Sequence, residues 1–177
     1  MNNNNMNNSK ETVIKFKPSQ LVNLPVFLLG ILLIPGLFLL DDLIQRYLPS
    51  GFIPDQFETY IANLPVYLTL LYALYLGYQI LKISCIRYEI SPEELFYYSG
   101  ILYRKHEFLE LYRAKDYRID RPFIYRIFGL GNLTIYTSDK TTPVFKMEAI
   151  PNPQDIYKTL RDLVEQNRRA KHVFEVD

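Results

Sequence analysis

Apolar and polar positions segregate along this chain, and the period of the pattern changes twice. Residues 21–40 (LVNLPVFLLGILLIPGLFLL) run without a single charge. At about 1.5 Å per residue, a helix of that length covers roughly the 30 Å hydrocarbon core of a bilayer. Residues 60–81 (YIANLPVYLTLLYALYLGYQIL) repeat the pattern, with no charge before Lys82. A chain this small rarely buries two such helices on all sides, so the blocks predict two membrane spans. The first run is too long for a signal peptide, and Asp41-Asp42 follows it instead of a small-residue cleavage site. It therefore reads as an uncleaved span.

From residue 84 the apolar runs shorten to strand length. Six strands are predicted, over 84–90, 95–99, 101–108, 112–121, 132–137 and 144–147, with Ser99-Gly100 as a hairpin signal. Together they point to an antiparallel barrel or sandwich. The period then returns to 3.6. Asn152-Pro153 is a helix start, and Ile156, Leu160, Leu163, Val164 and Asn167 trace one face of a helix over about 153–170. Such a helix closes the open end of a small barrel.

The flanks orient the spans. Residues 1–20 carry three Lys and one Glu, while the loop 41–59 carries Arg46 against Asp41, Asp42, Asp55 and Glu58. Lys82, Arg87, Arg104 and Lys105 follow the second span. The positive-inside rule puts both termini in the cytoplasm and the acidic loop outside. Three segments follow: a disordered Asn-rich N-terminus with a basic lead-in (1–20), a transmembrane hairpin (21–83) and a cytoplasmic domain (84–177).

Within the second span, Thr69, Ala73 and Gly77 recur every four residues as a small-residue seam. It either receives the first span, the preferred reading, or contacts another protein. Asn63, Tyr67 and Tyr78 offer polar groups on a different face, and Pro35 predicts a kink in the first span. Neither span has an ionisable residue in its middle, which argues against a transporter.

Composition narrows the chemistry. A net charge of +1 is too small for a dedicated nucleic-acid binder. One Cys, two His and no Trp leave no disulfide framework, no thiolate cage and little for a metal enzyme. His106, His172 and Cys85 stand alone in the sequence, so no catalytic group, cofactor, metal or small-molecule substrate is expected.

The order of elements carries a resemblance. Tyr88-Glu89-Ile90 opens the strand region, Gly100 marks a hairpin, Arg126-x-Phe128-Gly129-x-Gly131 precedes a strand, and Ile150-x-Asn152-Pro153 starts the helix. In order and character, residues 21–177 resemble the bacterial membrane-anchored PH-like domain family. The resemblance implies a helical hairpin of two transmembrane helices, then a mainly antiparallel β PH-like split barrel capped by one C-terminal α-helix. It implies the cytoplasmic membrane of a bacterium, and it carries no catalytic or ligand-binding residues with it.

Candidate sites remain. Arg113, Lys115, Arg118, Arg121 and Arg126 lie close together with only Asp116 and Asp120 between them. They form either a patch for lipid headgroups or a partner, or a solvated face with local ion pairs. Phe123, Ile124, Ile127 and Phe128 have helical spacing and read as core folded over the barrel mouth, with an interfacial wedge as the alternative. Gly129-Leu130-Gly131 is not a nucleotide loop, because a strand follows it; both glycines are expected at positive φ. The chain thus reads as a non-enzymatic membrane-anchored binding or scaffolding module. Its partners would be the lipid bilayer and a membrane protein, or a second copy of itself. The alternative is a small accessory subunit acting through its transmembrane helices.

Overall fold

The computed structural model describes residues 14–47 and 54–171. The Asn-rich stretch 1–9 and His172 lie outside the described residues. The chain divides into two units, Asn23–Leu81 and the segments on either side of it.

The first unit holds α1 (Leu24–Tyr47), α2 (Asp55–Ala62) and most of α3 (Leu64–Ser84). Two helical stretches, Gln20–Tyr47 and Leu64–Ser84, are long and apolar enough to cross a membrane, with mean hydropathies of 2.3 and 1.4. Pro35 lies inside α1. Tyr72 meets α1 closely: a Cβ on Gly30 would stand 2.7 Å from the Tyr72 ring. The Tyr72 hydroxyl donates to the Val26 carbonyl, and Asn23 Nδ2 donates to the Gln79 carbonyl at 3.2 Å. Asn63 instead caps locally, donating to the Thr59 carbonyl. Thr69 and Ala73 line an apolar groove of about 610 Å³ beside Gly30 and Pro35. A Cβ on Gly77 would meet nothing within 4 Å.

Among its described residues the second unit has seven strands, not six. The additional strand, β1 (Ile14–Phe16), precedes the apolar helices, in the stretch read as a basic lead-in. It pairs antiparallel with β2 (Arg87–Ile90), Phe16 opposite Tyr88 and Ile14 opposite Ile90. The helical hairpin is therefore an insertion between the first two strands. β3 (Glu94–Ser99) and β4 (Lys105–Glu110) complete a sheet ordered β1-β2-β3-β4. β5 (Ala114–Asp120), β6 (Leu130–Thr137) and β7 (Val144–Pro151) form a second, three-stranded sheet, and the two do not close into one.

Alternation places the core. In β7, Phe145, Met147 and Ala149 are buried, while Val144 and Lys146 are exposed. Ile90, Leu95, Leu109, Leu133 and Ile135 join Phe145 and Met147 in the core from the other strands. Tyr88 stacks on Phe16 with centroids 5.3 Å apart and meets Phe145 edge-on at 6.4 Å. Burial raises its pKa far above the usual tyrosine range. α5 (Pro153–Ala170) begins and ends where its periodicity predicts, and buries Ile156, Leu160 and Val164 against the sheets. Asn152 stands at its N-cap but in the left-handed region, φ 43, with no side-chain cap bond. Gly129 takes positive φ as expected and Gly131 does not. Instead Gly131 lets Arg121 and Pro153 approach: a Cβ there would be 2.8 Å from each.

The short helix α4 (Phe123–Ile127) joins β5 to β6. Its apolar residues are not core. Phe123, Ile124, Ile127 and Phe128 are all exposed, while the core is made by residues of the strands and α5.

Candidate functional site

α5 lies across β5 and is fixed at both ends. At its start, Asn152 N–H donates to the Gly129 carbonyl at 3.0 Å. At its end, Asn167 Nδ2 donates to the Pro92 carbonyl at 2.5 Å, and Arg168 donates to the Ala114 carbonyl. Between these anchors the helix and strand enclose a groove of about 250 Å³ lined by Lys115, Tyr117, Tyr157, Arg161, Glu165 and Arg168.

The groove is electropositive and incompletely satisfied. Glu165 is its one carboxylate, and it is shared by Arg161 at 3.2 Å and Arg169 at 3.8 Å. Tyr117 and Tyr157 meet edge-to-face at 5.3 Å. The Tyr117 hydroxyl is buried and has no hydrogen-bond partner. Burial pushes its pKa up to about 12, against the opposing pull of Arg168 and Arg161. A donor hydroxyl beside guanidinium groups suits a carboxylate or phosphate oxygen.

The five basic residues singled out in the sequence are spread along β5 and beyond it. Arg113 pairs with Glu110 at 2.7 Å and Asp139 at 3.2 Å, in the turn before β5. Lys115 lines the groove. Arg118 pairs with Asp120 at 3.0 Å on the exposed strand surface. Arg121 donates to the Leu130 carbonyl at 3.2 Å. Arg126 sits over the Phe123 ring, 5.8 Å from its centroid. A seven-residue strand extends about 23 Å, which separates Arg113 from Arg121 and Arg126. Lys115 is instead brought to Arg161 and Arg168, which lie some fifty residues on. Tyr157, Arg161 and Arg168 follow helical spacing beside the apolar stripe of α5, and that offset was the only sign of them in the sequence.

Other chemistry is sparse. Among the described residues no group of three or more His, Cys, Asp or Glu could hold a metal ion. His106 faces the Tyr98 ring at 4.9 Å, and Cys85 is exposed.

Four strands, then three, then a helix across the second sheet define a pleckstrin-homology-like fold. A model of the bacterial PH domain family matches residues 22–164, most of the chain, and the chain belongs to that family. The match takes in the helical hairpin and leaves out β1. No curated protein and no solved structure shows significant similarity to the chain. Domains of this class are in general non-enzymatic modules that bind lipids or proteins.

Proposed function

We propose that this chain is a non-enzymatic, membrane-anchored binding or scaffolding module. On this reading its hairpin spans a bacterial cytoplasmic membrane twice, with the acidic loop outside and both termini in the cytoplasm. The observation that carries the proposal is how bare the apolar helices are. Only 11% and 6% of their most hydrophobic windows is buried. In water, a hairpin exposing Leu32, Leu39, Leu70, Leu71 and Leu74 would aggregate; in lipid the same faces are solvated.

The PH-like unit then works as a tethered receptor. Tethering raises its effective concentration toward membrane-bound ligands without a new contact. The groove between β5 and α5 supports an acidic segment of a membrane protein as ligand, its carboxylate meeting Lys115, Arg161 and the Tyr117 hydroxyl. The test is crosslinking of the full-length protein in native membranes, with Lys115→Glu/Arg161→Glu compared with Arg118→Glu. A partner captured by the parent and Arg118→Glu but lost from the double variant is the expected result. Equal capture by all three would dismiss the groove.

The accessory-subunit reading has its own support. The Thr69 hydroxyl is buried without a partner beside the groove that Ala73 and Gly30 line. If the hairpin is what binds, Ala73→Leu should abolish capture while Lys115→Glu/Arg161→Glu leaves it intact.

A further inference from the structure

We infer that the PH-like unit has a dedicated membrane-contact face, made by the β3–β4 loop and α4, which inserts apolar side chains into an anionic lipid surface. The inference rests on the reading that the hairpin spans a membrane, and adds to it that the soluble unit itself touches that membrane.

The chain leaves the unit and returns to it at one end. Its two junctions with the hairpin are adjacent: Gln20 Nε2 donates to Ser84 Oγ at 2.9 Å. From there, β2 begins at Arg87, opposite Tyr98, and Ser99 stands opposite Lys105. The β3–β4 loop is thus at the junction end of the first sheet. Cys85, Arg87, Gly100, Arg104 and His106 share one pocket of about 350 Å³ there. On the second sheet, Ser19 N–H donates to the Ala149 carbonyl, and Ala149 N–H donates to Asn132 Oδ1, each at 2.9 Å. Asn132 is opposite Asp120, the last residue before the α4 connection. α4 therefore lies at the junction end as well.

Most of the unit's strongly exposed large apolar side chains lie at that end. Leu102 is 98% exposed, Tyr103 85%, Phe123 69%, Ile127 63% and Phe128 62%. Leaving five large apolar side chains in water at one end of a small unit needs a reason. Their charge environment says what covers them. The stretches 17–22, 82–87, 99–106 and 121–129 contain seven Lys and Arg and no Asp or Glu, with Asp120 at their border and Arg87 and Lys105 paired to Glu89 and Glu107 on the adjoining strands. The turns at the opposite end carry Glu93, and Asp139 beside Lys140. Apolar tips ringed by cations match an anionic bilayer, where the rings enter the interface and each nearby cation adds about 1 kcal/mol. Arg126 over the Phe123 ring places a guanidinium group beside an exposed apolar tip, where headgroup phosphates would lie.

The chain has no tryptophan, so a single introduced Trp reports one position. Leu102→Trp, Phe123→Trp, Leu32→Trp and Val144→Trp would each be made in the full-length protein. Leu32 lies on the hairpin, and Val144 is exposed at the end of β7 away from the junctions. Each variant is reconstituted in phosphatidylglycerol-containing vesicles, with and without acyl-chain bromination. We expect emission to fall about twofold or more at 32, 102 and 123 with brominated lipid, and to stay unchanged at 144. Quenching at 32 but not at 102 or 123 would overturn the contact face while leaving the spans intact. No quenching at 32 would remove the membrane reading, and the contact face with it.

Discussion

A buried hydroxyl with no partner is worse for stability than a methine in its place, and Tyr117 presents one beneath α5. Tyr117→Phe keeps the ring contact with Tyr157 and deletes the orphan group. It should stabilise the PH-like unit by about 1 kcal/mol, seen as a higher melting temperature in detergent. The pH dependence separates this effect from generic repacking. An unfolded tyrosine titrates near 10, whereas Tyr117 in the fold is pushed up to about 12. Below pH 10 both states keep the proton and the contribution is complete. Between 10 and 12 the unfolded state gives up its proton first, so stability falls as pH rises, and above 12 the contribution is gone. Melts at pH 8 and pH 11 should therefore differ less for Tyr117→Phe than for the parent. Tyr88, also raised by burial, keeps its share of the alkaline loss in both proteins. If the groove is the ligand site, the stabilised variant should also capture less partner. A variant that is more stable and binds as well as the parent would reduce Tyr117 to a packing residue.

β1 shows how much a three-residue element can contribute. Phe16 is almost fully buried, stacks on Tyr88 and covers the edge of β2. Phe16→Ala should cost about 3 kcal/mol, read as a lowered midpoint in thermal melts followed by near-UV circular dichroism. Lys15→Ala, on the exposed side of the same strand with a surface pair to Glu89 at 3.5 Å, should change the midpoint little. In the sequence, Ile14-Lys15-Phe16 is one alternation long and sits among lysines, too short for a period to register. α5 was legible to the residue, because an Asn-Pro start and a four-turn apolar stripe both specify it. The later strands were legible to within a few residues for the same reason. The β3–β4 connection was misjudged as a tight turn: Ser99-Gly100 does end β3, but the loop runs to Arg104 before pairing resumes at Lys105. The four apolar residues of α4 have a spacing that core and wedge share, so only the structure separates the two. Tyr72 was missed because its role depends on the gap that Gly30 leaves on another helix. The groove was half legible: Lys115 was visible, and its partners on α5 become neighbours only when the helix docks.

At the scale of the whole molecule, an insertion between β1 and β2 means that the hairpin does not simply precede the PH-like unit; the unit is assembled from both sides of it. A chain starting at residue 84 lacks β1, and so exposes the Tyr88 ring and an unpaired edge of β2, which is a template for aggregation. A spliced chain has neither defect. The junction residues are already in contact, Gln20 Nε2 lying 2.9 Å from Ser84 Oγ, so one glutamine side chain and a short serine side chain bridge the gap between the two backbones. At about 3.3 Å per residue, a linker of four or five Gly and Ser residues spans such a gap without strain. Its closure costs only slowly growing entropy with length. Residues 10–21 joined through this linker to 83–177 should therefore fold as a unit, with a sharp melt and dispersed amide resonances. The chain 84–177 should be expanded or aggregated under the same conditions. The comparison also bears on how the unit reaches its native state. If the spliced chain is as disordered as the truncated one, β1 is not what the truncation lacks, and the hairpin itself is required to bring the two sides together. If the spliced chain folds, the hairpin acts as an anchor inserted into a self-sufficient fold, and the exposed α4 and β3–β4 tips can be assayed for vesicle binding without it.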